Sequence, residues 1–178
     1  MRQKGSHVSE RQTTEDLTTV RAIMEDVRTC MVTTTTDTGA LHSHPMTTQE
    51  AQFDGDAWFI LSRSSETARN AAAHPHVNVS YSGTSSWLSL TGTAELVDDV
   101  PKLKELWNPF VEAWFPEGAE DPDVTLLKVS GEEAHYWDSP GRVAMMVSML
   151  RSSVTKDPPS TGESATVDLA GTSGEVRA

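Results

Sequence analysis

The chain has 178 residues, with 14 Lys and Arg against 26 Asp and Glu, and a formal net charge of −12 at neutral pH. That length suits one domain with a sizeable core. The acidic balance argues against a nucleic-acid or anionic-membrane partner, since both need a basic surface, and the single cysteine, Cys30, excludes an internal disulfide framework or a multi-cysteine metal cage.

The first twelve residues are polar and carry only one Val, so a flexible tail is expected over 1–12. A helix follows, with Thr14 as its cap, Glu15 and Asp16 at the positive end of its dipole, and Leu17, Val20, Ile23, Met24 and Val27 on one apolar stripe. From Cys30 the pattern turns to β: Met31 to Thr36 is rich in β-branched residues, and Asp37-Thr38-Gly39 is a turn signal. Leu41 to Thr48 returns as the hairpin partner, where Pro45 requires an edge or a bulge. Ala57 to Leu61 is a continuous apolar strand, and Thr67 to Ala73 a short helix ended by His74-Pro75. Alternating strands are expected at Val77 to Tyr81 and Trp87 to Ala94, then helices from Pro101 to Trp107 and on to Trp114. Strands at Thr125 to Val129 and Ala134 to Trp137 precede a last helix, with Val143, Met146, Val147 and Leu150 on one face. Residues 152–178 are rich in Ser, Thr, Gly and Pro and read as a polar tail, leaving the compact domain over 13–151. Six or seven strands with helices at intervals predict an α+β protein built around an antiparallel barrel. Apolar runs of four or five residues are too short to span a bilayer, and the N-terminus lacks an apolar signal core, so a soluble, cytoplasmic protein is expected.

Few residues offer chemistry. Cys30 has no basic neighbour in sequence and reads as an inert buried thiol. His42 and His44 lie two apart on a strand and share a face, and His74 and His76 repeat that spacing outside a strand. Neither pair has a carboxylate or cysteine at a recurrent ligand spacing, so no metal is assigned. No nucleophile elbow, phosphate-binding loop or dinucleotide fingerprint occurs. One polar cluster remains: Ser62-Arg63-Ser64-Ser65-Glu66-Thr67-Ala68-Arg69, between a buried strand and a helix. Its hydroxyls, helix-start N–H groups and two guanidinium groups suit a phosphate. On the residues alone, a serine that caps the helix beside solvated arginines is the simpler reading. The five tryptophans pack a core by default, but they also suit the walls of a planar cofactor site.

The order of elements resembles the pyridoxamine 5′-phosphate oxidase-related, FMN-binding split-barrel proteins, within them the bacterial general stress proteins. Three segments carry the resemblance: Leu41-His42-Ser43-His44-Pro45-Met46; Trp58 to Arg63 with the following helix and His74-Pro75-His76-Val77; and Trp114-Phe115-Pro116-Glu117-Gly118 with Asp121-Pro122, Leu126 to Val129 and Ala134 to Asp138. It implies an antiparallel split β-barrel with flanking helices, a homodimer, and two flavin sites at the subunit interface. Pro45 and Met46 then match the flavin-side strand, and Ser62 and Arg63, with Ser64 beside them, the phosphate side. Trp137 is expected to approach the cofactor from the partner subunit. Two residues depart from the family pattern: His44 replaces an Arg, and Thr67 replaces the phosphate-binding Lys, with Arg69 one helical step on as a compensating cation. The resemblance also implies a short strand near 165–169. The function it implies is FMN binding with oxidoreductase activity on an unknown substrate. The alternatives are a non-catalytic stress-response module with a weakened cofactor site, or a deazaflavin- or haem-binding split barrel.

Overall fold

In a computed structural model the chain is described over residues 10–49, 53–138 and 163–169. The elements run α1 (Glu10–Asp26), β1 (Thr29–Thr35), β2 (Leu41–Thr47), β3 (Asp56–Ser62), α2 (Glu66–Ala73), β4 (His76–Ser82), β5 (Ser86–Val97), α3 (Val100–Leu106), α4 (Pro109–Trp114), β6 (Val124–Asp138) and β7 (Glu163–Asp168). The strands form one antiparallel sheet in the order β2-β1-β4-β5-β6-β3, with β7 also on β6. The chain is thus α+β with a split-barrel sheet. The two end strands, β2 and β3, approach where the Gln49 N–H donates to the Trp58 carbonyl at 3.3 Å.

Period-two burial explains the strands. Cys30, Val32 and Thr34 of β1, Val77, Val79 and Tyr81 of β4, and Leu88 and Leu90 of β5 all point inward and are buried. With Phe59, Leu61, Leu127 and Val129 they fill the barrel, which Val20, Ile23 and Met24 of α1 help to close. A second, smaller core lies on the outer face of the β3–β6 pair. There Ile60, Val124 and Leu126 pack against Leu103 and Leu106 of α3 and Val111 of α4. Outward and inward residues of one strand pair therefore both bury, which is why β3 reads as a continuous apolar run rather than an alternating one.

Two sequence expectations are revised. The first helix begins at Glu10, four residues before the expected cap at Thr14. The strands expected at Thr125 to Val129 and Ala134 to Trp137 are one strand of 15 residues, β6. It stays on β5 throughout, with a register shift beside Thr91 and Gly92. On its other edge it pairs with β3 through residues 124–130 and with β7 through residues 133–138. Ser130-Gly131-Glu132 breaks the apolar alternation in the sequence, but a β-bulge carries the strand through it. The helix expected around Val143 to Leu150 lies outside the described residues. Pro45 sits on β2, an edge strand paired only with β1, where its missing N–H leaves no ladder bond unmade.

Candidate functional site

The gap in the barrel is the candidate site. Pro45, Met46 and Thr47 from β2, with Gln49 just beyond it, face Ile60, Leu61 and Ser62 from β3 across a cavity of about 290 Å³. Phe110, Val111, Trp114 and Phe115 of α4 and its C-terminal end form the third wall. The sequence places α4 here through Asn108. Its side-chain oxygen caps the helix by accepting from the N–H groups of Phe110 and Val111, at 3.0 and 3.1 Å. Its amide nitrogen donates to the buried Gln49 side chain at 3.1 Å, which pins the cap between β2 and β3. Phe110 and Trp114 nevertheless remain exposed, Trp114 at 70%. The lining is apolar and aromatic, with Ser62 as a polar edge, a composition suited to a flat, mostly apolar ring.

The polar cluster leads off the Ser62 edge of this cavity. The Ser65 side chain caps α2, accepting from the Ala68 N–H at 3.2 Å. Ser62 and Ser64 share a hydroxyl contact at 2.8 Å, and both donate to the Asp123 carboxylate, Ser64 at 3.1 Å. The Ser64 N–H donates to the same carboxylate at 2.9 Å. These bonds, the Ser62 hydroxyl foremost, hold the Asp123 carboxyl below the usual carboxylate range. Arg63 pairs with Asp98 and lines a second cavity of about 450 Å³ between α3 and the start of β6. Arg69 donates to the Ser64 carbonyl.

Across the cluster, β2 and α2 are joined by histidine. His42 Nδ1 lies 2.7 Å from one Glu66 oxygen and His44 Nε2 lies 4.0 Å from the other. The shared face expected for this pair is thus the face turned to α2. The hydrogen bond from His42 is the main cause holding the Glu66 carboxyl below its ordinary value. A carboxyl depressed on folding stabilises the folded state above its unfolded pKa, and that contribution disappears as pH falls through the folded value. His42→Ala is therefore expected to return the Glu66 carboxyl toward the usual range, with reduced acid sensitivity of the β2–α2 contact. An NMR titration of the Glu66 side chain measures this; an unchanged midpoint would show that His42 is not the cause.

Pro45, Met46 and Ser62 thus line one cavity, with Ser64 beside Ser62 on the same Asp123 carboxylate and His44 facing Glu66. Arg63 and Arg69 belong to the adjoining loop and helix. Thr67 is buried at 5% exposure, so its side chain is turned away from solvent. Trp137 lies far along β6 from Val124, the residue that pairs with Ser62, and stacks on His135 with ring centroids 4.2 Å apart. Within one chain it does not reach this cavity. Asp123, Asp98 and α4 were absent from the site read from sequence, and Glu66 stood there only as a member of the polar run. The two aspartates are separated from the serines by more than thirty residues, so no local spacing links them. Cys30 is remote in chemistry: burial pushes its thiol up to about 11, and Sγ donates to the Met46 carbonyl at 3.5 Å. Among the described residues no group of three or more His, Cys, Asp and Glu side chains is arranged to hold a metal ion, and no helix is long and apolar enough to cross a membrane.

The chain is a split barrel with a cavity at its open seam, and comparison with known proteins specifies the family. The chain belongs to the pyridoxamine 5′-phosphate oxidase like family, whose model matches residues 15–160. It is similar to protein bli-3 of Neurospora crassa, at 30% identity spanning 74% of this chain and 68% of that protein. A solved structure described as a general stress protein 26 of Jannaschia sp. CCS1 superposes with a TM-score of 0.74 at 30% identity, covering 86% of this chain and 99% of that one. A general stress FMN/FAD binding protein of Xanthomonas citri superposes with a TM-score of 0.58 at 28% identity, covering 68% and 86%.

Proposed function

We propose that the chain binds a flavin, as FMN or as riboflavin, in the cavity between β2 and β3, and that it works as a homodimeric oxidoreductase. The observation that carries the reading is the cavity itself: an apolar, aromatic slot of about 290 Å³ with the Ser62 hydroxyl at its polar edge. The FMN/FAD binding relative from Xanthomonas citri supports the choice of ligand.

The residues fit the ring end of a flavin. Pro45 and Met46 on one side and Ile60 and Leu61 on the other supply flat apolar walls, and Trp114 provides an aromatic one. At the polar end, the cations are Arg63 and Arg69, with His44 on the neighbouring strand. They would face the tail of the ligand, and the walls would exclude water from the ring. The bound flavin supplies the electron chemistry, while the protein supplies position and electrostatics.

Dimerisation is supported by what the sheet leaves uncovered. Outside the part covered by α3 and α4, the outward residues include Met31, Thr33, Asn78, Ser80, Trp87, Ser89, Thr91, His135 and Trp137, with Glu132 and Glu133 close to Thr91. Trp87 and Trp137 lie opposite each other on β5 and β6 and are both about 40% exposed, at 40% and 43%. Aromatic-bearing faces suit a protein partner, and a second copy there would bring Trp137 toward another subunit's cavity. Equilibrium dialysis against FMN and against riboflavin tests the reading: one flavin retained per chain is expected from at least one of them, and none retained from either contradicts it.

A further inference from the structure

The loop that would receive a phosphate already holds a carboxylate. Ser62 Oγ, Ser64 Oγ and the Ser64 N–H all donate to Asp123, and the adjacent guanidinium of Arg63 is paired with Asp98. Asp123 is held there by its main chain as well. Its carbonyl accepts from the Arg63 N–H at 2.6 Å, and its own N–H donates to the Asp121 side chain at 2.8 Å. The carboxylate is therefore presented to the serines by an anchored backbone, in the same sense in which a bound anion would be presented. Hydroxyl and amide donors that point at one oxygen pair cannot point at a second anion without releasing the first. A phosphate brought to these serines would also meet like charge from Asp123, with Asp98 and Glu66 nearby.

We propose that Asp123, assisted by Asp98 at Arg63, is a resident anion that determines ligand specificity: it suppresses binding of phosphorylated flavins relative to their unphosphorylated forms. This rests on the flavin reading above and adds to it the selection between ligands that share one ring. The carboxylate leaves the apolar slot untouched, so its influence falls on the phosphate alone. A free hydroxyl of the ligand tail, unlike a phosphate, can donate to Asp123 and so keeps the cradle satisfied.

The test is a fluorescence titration of the wild type, Asp123→Asn and Asp98→Asn with both FMN and riboflavin, with thermal melting as a check on folding. Asn keeps the shape and one acceptor oxygen while it removes the charge. Asp123→Asn is expected to raise FMN affinity about tenfold or more relative to riboflavin, and Asp98→Asn several-fold in the same direction. If Asp123 instead only orders the loop, its Asn variant weakens both ligands alike and the FMN-to-riboflavin ratio stays constant. A constant ratio overturns the inference and leaves the flavin reading standing. Should Asp123→Asn fail to fold, the ratio in Asp98→Asn decides in the same way. No saturable binding of either flavin to any of the folded proteins overturns both readings.

Discussion

Replacing Phe59 by Ala is expected to destabilise the folded chain by about 3–5 kcal/mol, the range for deleting a fully buried aromatic side chain. Phe59 has no exposed surface, stands opposite Leu127 on the neighbouring strand, and belongs to the main core. β3 is held between two cores, so backbone collapse into the void would disturb the α3–α4 side as well. Native domains are stable by only about 5–15 kcal/mol, so the loss is a large share of the whole. For a chain of this length it corresponds to a fall in melting temperature of roughly 6–20 °C. Phe110→Ala is the control: Phe110 is 55% exposed, and an exposed truncation costs within about 0.5 kcal/mol. Urea unfolding of both variants measures the difference, and a Phe59→Ala loss below about 1 kcal/mol would mean that the barrel interior is packed otherwise.

Gly92→Ala should be similarly severe for a different reason. A Cβ on Gly92 would lie 2.2 Å from the Ser130 carbonyl oxygen and 2.9 Å from its carbon. The obstruction is backbone, in the strand that β5 pairs with along its whole length, and cannot rotate away. Stiffening the unfolded chain by Gly→Ala contributes only about 0.4–1 kcal/mol in favour of folding, whereas overpacking costs about 1–3 kcal/mol and more against an immovable neighbour. A net loss of about 2–3 kcal/mol is expected, and the bulge at Thr91/Gly92 should shift with it. Thermal unfolding checks the stability. Amide chemical shifts of Ser130 and Gly131 check the location, and unchanged shifts with unchanged stability would show that no close approach exists.

These two positions also mark what could and could not be read beforehand. Runs such as Met31 to Thr36 and Val77 to Tyr81 announced strands, because alternation of buried and exposed side chains is a local property of the sequence. β6 was legible only in halves, since the close approach of Gly92 to Ser130 is visible only when two distant strands are paired. The site divides the same way. Ser62, Arg63, Ser64 and Arg69 are contiguous and stood out together, and Pro45 and Met46 were added by resemblance. Asp123 and Asp98 reach the cluster through the β3–β6 pairing and the end of β5, and α4 reaches the cavity through the packing of Val111 in the second core and the bond from Asn108 to Gln49. Thr67, a polar residue in a polar cluster, is turned inward because α2 packs that face, with Ala68 and Ala71, against the barrel.

The central claim is that the seam between β2 and β3 is a flavin site. Its most direct test is a fluorescence titration of riboflavin and FMN with the wild-type chain beside Met46→Glu, which places a charge in the apolar slot. Saturable binding to the wild type is expected with a dissociation constant well under about 100 μM, with a loss of at least tenfold for both ligands in the folded Met46→Glu variant. No saturation by about 100 μM, a level worth only about −5.5 kcal/mol, or equal binding by the two proteins, would contradict it.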